Sequence, residues 1–227
     1  MLDKVGFDSS FSERPRPVNP EAMLPISSAN TIKTAFSHLG KHVITFAGFG
    51  ELGYEDPTIV ECVATEVLKP HDPASILVNT GTLLREGGLN GIADIYPIAD
   101  RLGIETTGVH PSVALDYQDT HKVSPHCRRA WFVSDNTWGG FDDKGNLSPI
   151  LRTTLEITDE LVVIGGGKHA ADELEAFIRS GKPVRYFSAK MNHRISTEWC
   201  KISGAHISDS WGDAHRVWTS FKNSSIR

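Results

Sequence analysis

Two short runs, Ile76–Val78 and Leu161–Ile164, constrain the fold more than any other feature of this chain: each is apolar at every position. A strand with one wet face alternates polar and apolar residues. An unbroken run has both faces covered, the condition of a strand inside a parallel sheet flanked by helices. The surroundings agree, because a short apolar run, a Gly-containing turn and an amphipathic stretch ending in Gly or Pro recur along the chain. HVITFAG leads through FGELGYEDP to TIVECVATEVLKP, in which Ile59, Val60, Val63, Val67 and Leu68 share one helical face. ASILVNTG leads to TLLREGGLNGIADIYPIADRLG, with Ile92, Ile95, Ile98, Ala99 and Leu102 at helical spacing. IETTGVHP follows, and SPILRTTLEITD, ELVVIGG, HAADELEAFIRSG and KPVRYFSA close the series. The expected fold is α/β, a Rossmann-like three-layer sandwich with a mainly parallel sheet. Its ligand crevice should lie outside the carboxyl ends of the strands, where the Gly-containing turns converge.

Around this core the chain divides into three parts. Residues 1–40 read as an irregular Ser- and Pro-rich arm followed by a helix that Ser or Asn caps and Gly40 stops. Residues 41–190 read as the Rossmann-like core, with a flap at 116–148 that contains one strand, RAWFVSD. Residues 191–227 form an extension packed on the core or on a dimer partner. With 227 residues and 39% hydrophobic content the chain can bury one sizeable core. A net charge of −5 gives no field that would draw nucleic acid or an anionic membrane, so neither is expected as a partner. The three cysteines, Cys62, Cys127 and Cys200, form no C-x-x-C pair, which points to a reducing, cytoplasmic location. The ten histidines fall into no metal-binding spacing, and neither a metal nor a cofactor is expected.

Chemistry concentrates at the turns. Gly165, Gly166 and Gly167 end a strand and open a helix, where glycine permits close backbone approach and unpaired N–H groups face an anion, so phosphate is the natural guest. Lys168 and His169 follow directly. A second turn carries Asn79, Thr80, Gly81 and Thr82, then Gly88, and a third leaves Gly48 at the end of the first strand. His110, ending TTGVH, faces the crevice in this arrangement. Neither the Walker pattern nor the dinucleotide fingerprint G-x-G-x-x-G is present. The tryptophans of the flap and the extension, Trp138 among them, suit either stacking on a base or burial at a subunit contact.

The order NTG, GGLNGIAD, TTGVHP and LRTTLEITDELVVIGGGKHAADELEAFIRSGKPV resembles the SLOG superfamily over roughly residues 43–188. That superfamily holds the LOG phosphoribohydrolases, often labelled lysine decarboxylases, with DprA and the nucleotide-sensing domains of TRPM channels. The phosphoribohydrolase motif P-G-G-x-G-T-x-x-E, laid from Gly165, matches at Gly166, Gly167 and Glu173. It departs at Gly165 for proline, His169 for glycine and Ala170 for threonine, which removes one hydroxyl donor to phosphate. The resemblance implies that Glu173 is catalytic, that an arginine upstream assists it, and that the protein is a homodimer. Arg152 lies at the expected distance for that arginine; Arg128 and Arg129, after His126, are the rival. Cleaving a ribosyl N-glycosidic bond builds positive charge on the sugar, which a carboxylate stabilises. Asp172 points about 100° round the helix from Glu173, so one of the two should face the crevice. Two readings stay open: a nucleotide-binding N-glycoside hydrolase, and a non-catalytic sensor or sequestering module for an NAD- or ADP-ribose-type ligand.

Overall fold

The structure, a computed structural model, describes residues 26–204 and 210–224, without the side chains of residues 199 and 203. The arm expected over residues 1–20 lies outside the described residues. In chain order the elements are β1 (Ile26–Ser27), α1 (Ala29–Leu39), β2 (His42–Gly48), α2 (Ile59–Leu68), β3 (Ile76–Asn79), β4 (Leu84–Arg85), α3 (Ile95–Arg101), β5 (Glu105–Pro111), β6 (His121–Lys122), β7 (Arg129–Val133), α4 (Pro149–Ile157), β8 (Glu160–Ile164), α5 (Lys168–Ser180), β9 (Val184–Phe187), α6 (His193–Ser203) and α7 (Gly212–Ser224).

Seven strands form one sheet in the order β1-β7-β5-β3-β2-β8-β9, every pairing parallel, while β4 and β6 make a separate two-stranded ribbon. This is the α/β three-layer sandwich that the unbroken runs require. The helices divide between the two faces. Ile44, Phe46, Val78, Val162 and Ile164 point to the layer that holds α2 and α3, where Val60, Val63, Val67, Ile95 and Ile98 meet them. On the other face Val43, Leu77, Val109 and Val133 pack against α1 and α4, and Ala47, Leu161 and Val163 against α5 and α7. From β2 the chain steps outward through β3, β5 and β7, then returns to the far side of β2 as β8 and continues to β9. The direction of winding reverses between β2 and β8, and their carboxyl ends flank the opening that this reversal creates.

Local signals explain the element ends. Ser28 caps α1 by accepting the Thr31 N–H at 3.1 Å, and Gly40 stops the helix in the left-handed region. Ser148 caps α4 in the same way, with Pro149 in its first turn. Among the described residues no helix is long and apolar enough to cross a membrane.

Two details differ from the sequence reading. The strand expected inside the flap is present as β7, but it lies between β1 and β5 as a member of the main sheet, so the middle of that segment is not a flap. Residues 26–39 are likewise part of the sandwich: Ile32 and Phe36 of α1 are buried against α4, and β1 extends the sheet.

Candidate functional site

At the carboxyl end of β8 the three consecutive glycines take three different conformations, each with its own cause. Gly165 has φ +54°, and a Cβ there would stand 2.7 Å from the Phe49 ring and 2.8 Å from the Ala189 carbonyl oxygen. Gly166 has φ +115°, and a Cβ would meet that of Ala170 at 2.4 Å. Both positions demand glycine for the fold alone. Gly167 does not. Its φ of −85° and ψ of −153° are extended, and an added Cβ would meet nothing within 4 Å among the described residues. It is the N-cap of α5, yet no side chain caps that helix. The first N–H groups of α5 thus have no side-chain cap among the described residues, beside the reversal between β2 and β8.

The neighbouring turns close on this one. Gly48 ends β2; a Cβ there would stand 2.1 Å from the Tyr54 hydroxyl and 2.7 Å from the Ile164 carbonyl oxygen. Tyr54 donates to that carbonyl at 2.9 Å and accepts the Phe49 N–H at 3.1 Å, so its buried hydroxyl ties the two strand ends together. Gly50 lies next to Thr82, 3.7 Å from its Cγ2 by the same measure, and like Gly167 it has no steric need to be glycine. Of these two glycines, Gly48 is therefore structural and Gly50 is the one left open. Gly88 packs on Glu51 at the outer flank, where Leu89 donates its N–H to the Glu51 carbonyl at 2.9 Å. The extension also reaches the turn: Ala214 of α7 donates its N–H to the Gly166 carbonyl at 3.1 Å.

The two carboxylates of α5 separate as their angular spacing requires. Asp172 is buried, paired with the exposed Lys168 at 2.7 Å, and fills the space beside Gly140, where a Cβ would stand 2.3 Å from its Oδ2. Glu173 is partly buried and makes no hydrogen bond or ion pair among the described residues. Burial, with the Asp172 charge added, pushes its carboxyl up to about 7. A carboxyl at that value both gives and takes a proton near neutrality. His169 is exposed on the first turn of α5.

Other candidates lie elsewhere or carry structure. Asn79 is buried; its Nδ2 donates to Thr45 Oγ1 at 3.1 Å and its Oδ1 accepts from Thr107 at 3.3 Å, while Thr45 continues to Thr158 at 2.6 Å. This ladder runs across the sheet and leaves Asn79 nothing to offer a ligand. Thr80 is buried too, and its carbonyl accepts from the Tyr96 hydroxyl at 2.7 Å. Gly81 is exposed at the same edge, its carbonyl 3.0 Å from His110 Nδ1. Arg152 is exposed on α4, on the face that carries Glu156 toward Lys33 of α1, whereas Leu155 packs in the cluster around α5. Arg128 and Arg129 are held at the amino edge of the sheet, by Asp100 at 2.9 Å and Glu105 at 3.0 Å, with His126 on Asp100 at 3.2 Å.

His110 is fully buried, and its Nε2 has no hydrogen-bond partner. Burial pushes its imidazole down to about 4 against the single bond to Gly81, so Nδ1–H donates and Nε2 stays unprotonated. It is closed to a ligand. Because the folded value lies below the unfolded one, stability is complete above pH 6.5 and drains as pH falls toward 4. His110→Asn, which retains a donor for Gly81 and cannot titrate in this range, should flatten that loss by on the order of 3 kcal/mol. Denaturant midpoints of both proteins from pH 7 to pH 4 check this, and parallel curves would show that His110 does not carry the effect.

No family model matches the chain, and no curated protein matches it. Among solved structures it is similar to two of the Moco carrier protein from Chlamydomonas reinhardtii, each 17% identical with a TM-score of 0.43. One match covers 81% of this chain and 99% of that protein, the other 79% and 96%. At this identity and TM-score the likeness says nothing about what the present chain binds.

Proposed function

We propose that the chain binds a nucleotide or nucleotide-derived compound in the opening between β2 and β8, with its phosphate on the first turn of α5 at Gly167, Lys168 and His169. The observation that carries this reading is Gly167: among the described residues a Cβ there would meet nothing within 4 Å and the helix it begins has no side-chain cap, so the described fold has no need of glycine at that position. The half-buried Gly50, next to Thr82, and the exposed Gly81 supply further backbone at the carboxyl ends of β2 and β3. Lys168, ion-paired with Asp172, presents its ammonium on the same turn, and Glu173 follows on the next turn, where the sugar of a phosphate-anchored ligand would lie. On this reading the ligand's N-glycosidic bond is hydrolysed, with Glu173 stabilising the cationic sugar or activating water, as the SLOG resemblance implies. Arg152 has no geometric support as its assistant. The test is incubation with AMP, ADP-ribose, NAD and ribose 5-phosphate, with bound ligand read by calorimetry and released base by chromatography. Failure of all four to bind would end the proposal.

Ala170 favours a second reading, a sensor or sequestering module that does not turn its ligand over. Its methyl occupies the place of the motif's threonine and is packed against Gly166, so no hydroxyl reaches a phosphate from that position. Binding without release of base would favour this reading. Either form is proposed as a homodimer, paired through the extension that already packs on α5. Light scattering at micromolar concentration should give twice the chain mass, and a monomer would remove this part.

A further inference from the structure

The stretches that leave the carboxyl ends of β5 and β7 bring three aromatic side chains together. Tyr117 and Trp138 have ring centroids 5.4 Å apart, His121 and Trp138 6.0 Å, and Tyr117 and His121 6.0 Å. Tyr117 and Trp138 are both more than two-fifths exposed, which rings gathered only for core packing would not be. The cluster is moored at both ends to the turns of the opening. From Trp138 the chain continues through Gly139 to Gly140, which lies directly on Asp172 of α5. His121 lies in the β4–β6 ribbon, with Nε2 3.9 Å from Glu51, which also holds Arg85 at 2.8 Å and belongs to the turn after β2. The aromatic group therefore spans from the amino end of α5 to the turn after β2. Gly139 and Gly140, at φ +101° and +93°, let the chain leave Trp138 and turn tightly onto α5.

We propose that Tyr117, His121 and Trp138 form the stacking platform for the base of the ligand whose phosphate sits at Gly167. This rests on the phosphate reading above and extends it: the ligand carries a planar heterocycle. Aromatic rings at such a position give affinity through the π-face, which every base offers, so the platform holds the base while the backbone amides hold the phosphate.

The experiment measures binding of adenosine, ribose 5-phosphate and AMP to the full chain and to its Trp138→Ala, Tyr117→Ala and Trp138→Phe variants. All three substitutions fall on exposed side chains and leave the buried core intact. Trp138→Ala should weaken adenosine and AMP about tenfold or more, the usual scale for loss of one stacked ring, while ribose 5-phosphate binds as before. Trp138→Phe should restore most of the loss. Adenosine binding that Trp138→Ala and Tyr117→Ala leave unchanged would overturn the platform. So would a wild-type chain that binds ribose 5-phosphate but gains nothing from the base of AMP, and the phosphate turn would then stand alone. Adenosine binding that depends on Trp138, with no binding of ribose 5-phosphate, would support the platform and sink the phosphate reading. Failure of all three to bind overturns both.

Discussion

Gly167→Asp should leave the protein as stable as wild type, or up to about 1 kcal/mol more so, and weaken AMP and ribose 5-phosphate at least a hundredfold. The two halves of that result come from one geometry. Aspartate is among the best N-cap residues: its carboxylate accepts from the second and third N–H groups of the helix, which here belong to His169 and Ala170. It also places negative charge at the positive end of the helix dipole, worth a few tenths to about 1 kcal/mol. The backbone of Gly167 is extended and a Cβ meets nothing within 4 Å among the described residues, so no strain offsets this gain. A fold selected for stability alone would carry a cap here. The same carboxylate occupies the amides meant for the phosphate and repels it. Losing two charge-assisted hydrogen bonds at about 1.5–3 kcal/mol each amounts to more than two powers of ten. The measurements are a thermal melt and a binding isotherm. Unchanged affinity in a well-folded variant would mean that the phosphate lies elsewhere.

The neighbouring glycine shows why the choice of position matters. Gly166→Ala would add a methyl 2.4 Å from Ala170 at a φ of +115°, so any loss of binding would follow from a broken turn. Three identical letters in GGG thus have three different physical meanings. Only backbone angles and neighbours distinguish them, and the sequence carries neither.

What could be read in advance depended on range. The runs ending in Val78 and Ile164 announce buried parallel strands because the requirement, apolar on both faces, is written in adjacent residues. β1, β4 and β6 have two residues each, too few for any period, and so went unread. In sequence, its place at a strand end marks Asn79 as a ligand residue. Its bonds reach Thr45 and Thr107, 34 and 28 positions away, and such partners are invisible until the strands are set side by side. The same limit applies to Arg128 and Arg129, the rivals to Arg152, which sit at the amino edge, where Asp100 and Glu105 hold them. Trp138 carried a partial signal, an aromatic followed by two glycines. Its companions Tyr117 and His121 meet it only through the fold.

Glu173→Gln should lower the rate of base release at least a hundredfold if the chain is a hydrolase, with little change in affinity, because the charge matters only as the sugar becomes cationic. The pH profile adds a second check. The carboxylate is the active form, so the wild-type rate should rise with pH and level off above about 7. The same substitution reports on stability whether or not there is turnover. A carboxyl raised from 4.5 to about 7 by burial and by Asp172 binds its proton more tightly in the folded chain, so ionisation costs the folded state. Wild type and variant should match near pH 4.5. They should diverge as pH rises toward 7, and above it the variant should be more stable by on the order of 2–3 kcal/mol, about 5–10 °C in melting temperature. A sensor would show this divergence with no base released at any pH, and its affinity for AMP above pH 7 should increase, since a neutral amide replaces a negative charge near the phosphate. A melting difference that does not change with pH would remove Glu173 from both accounts, leaving it an ordinary carboxylate on the second turn of α5.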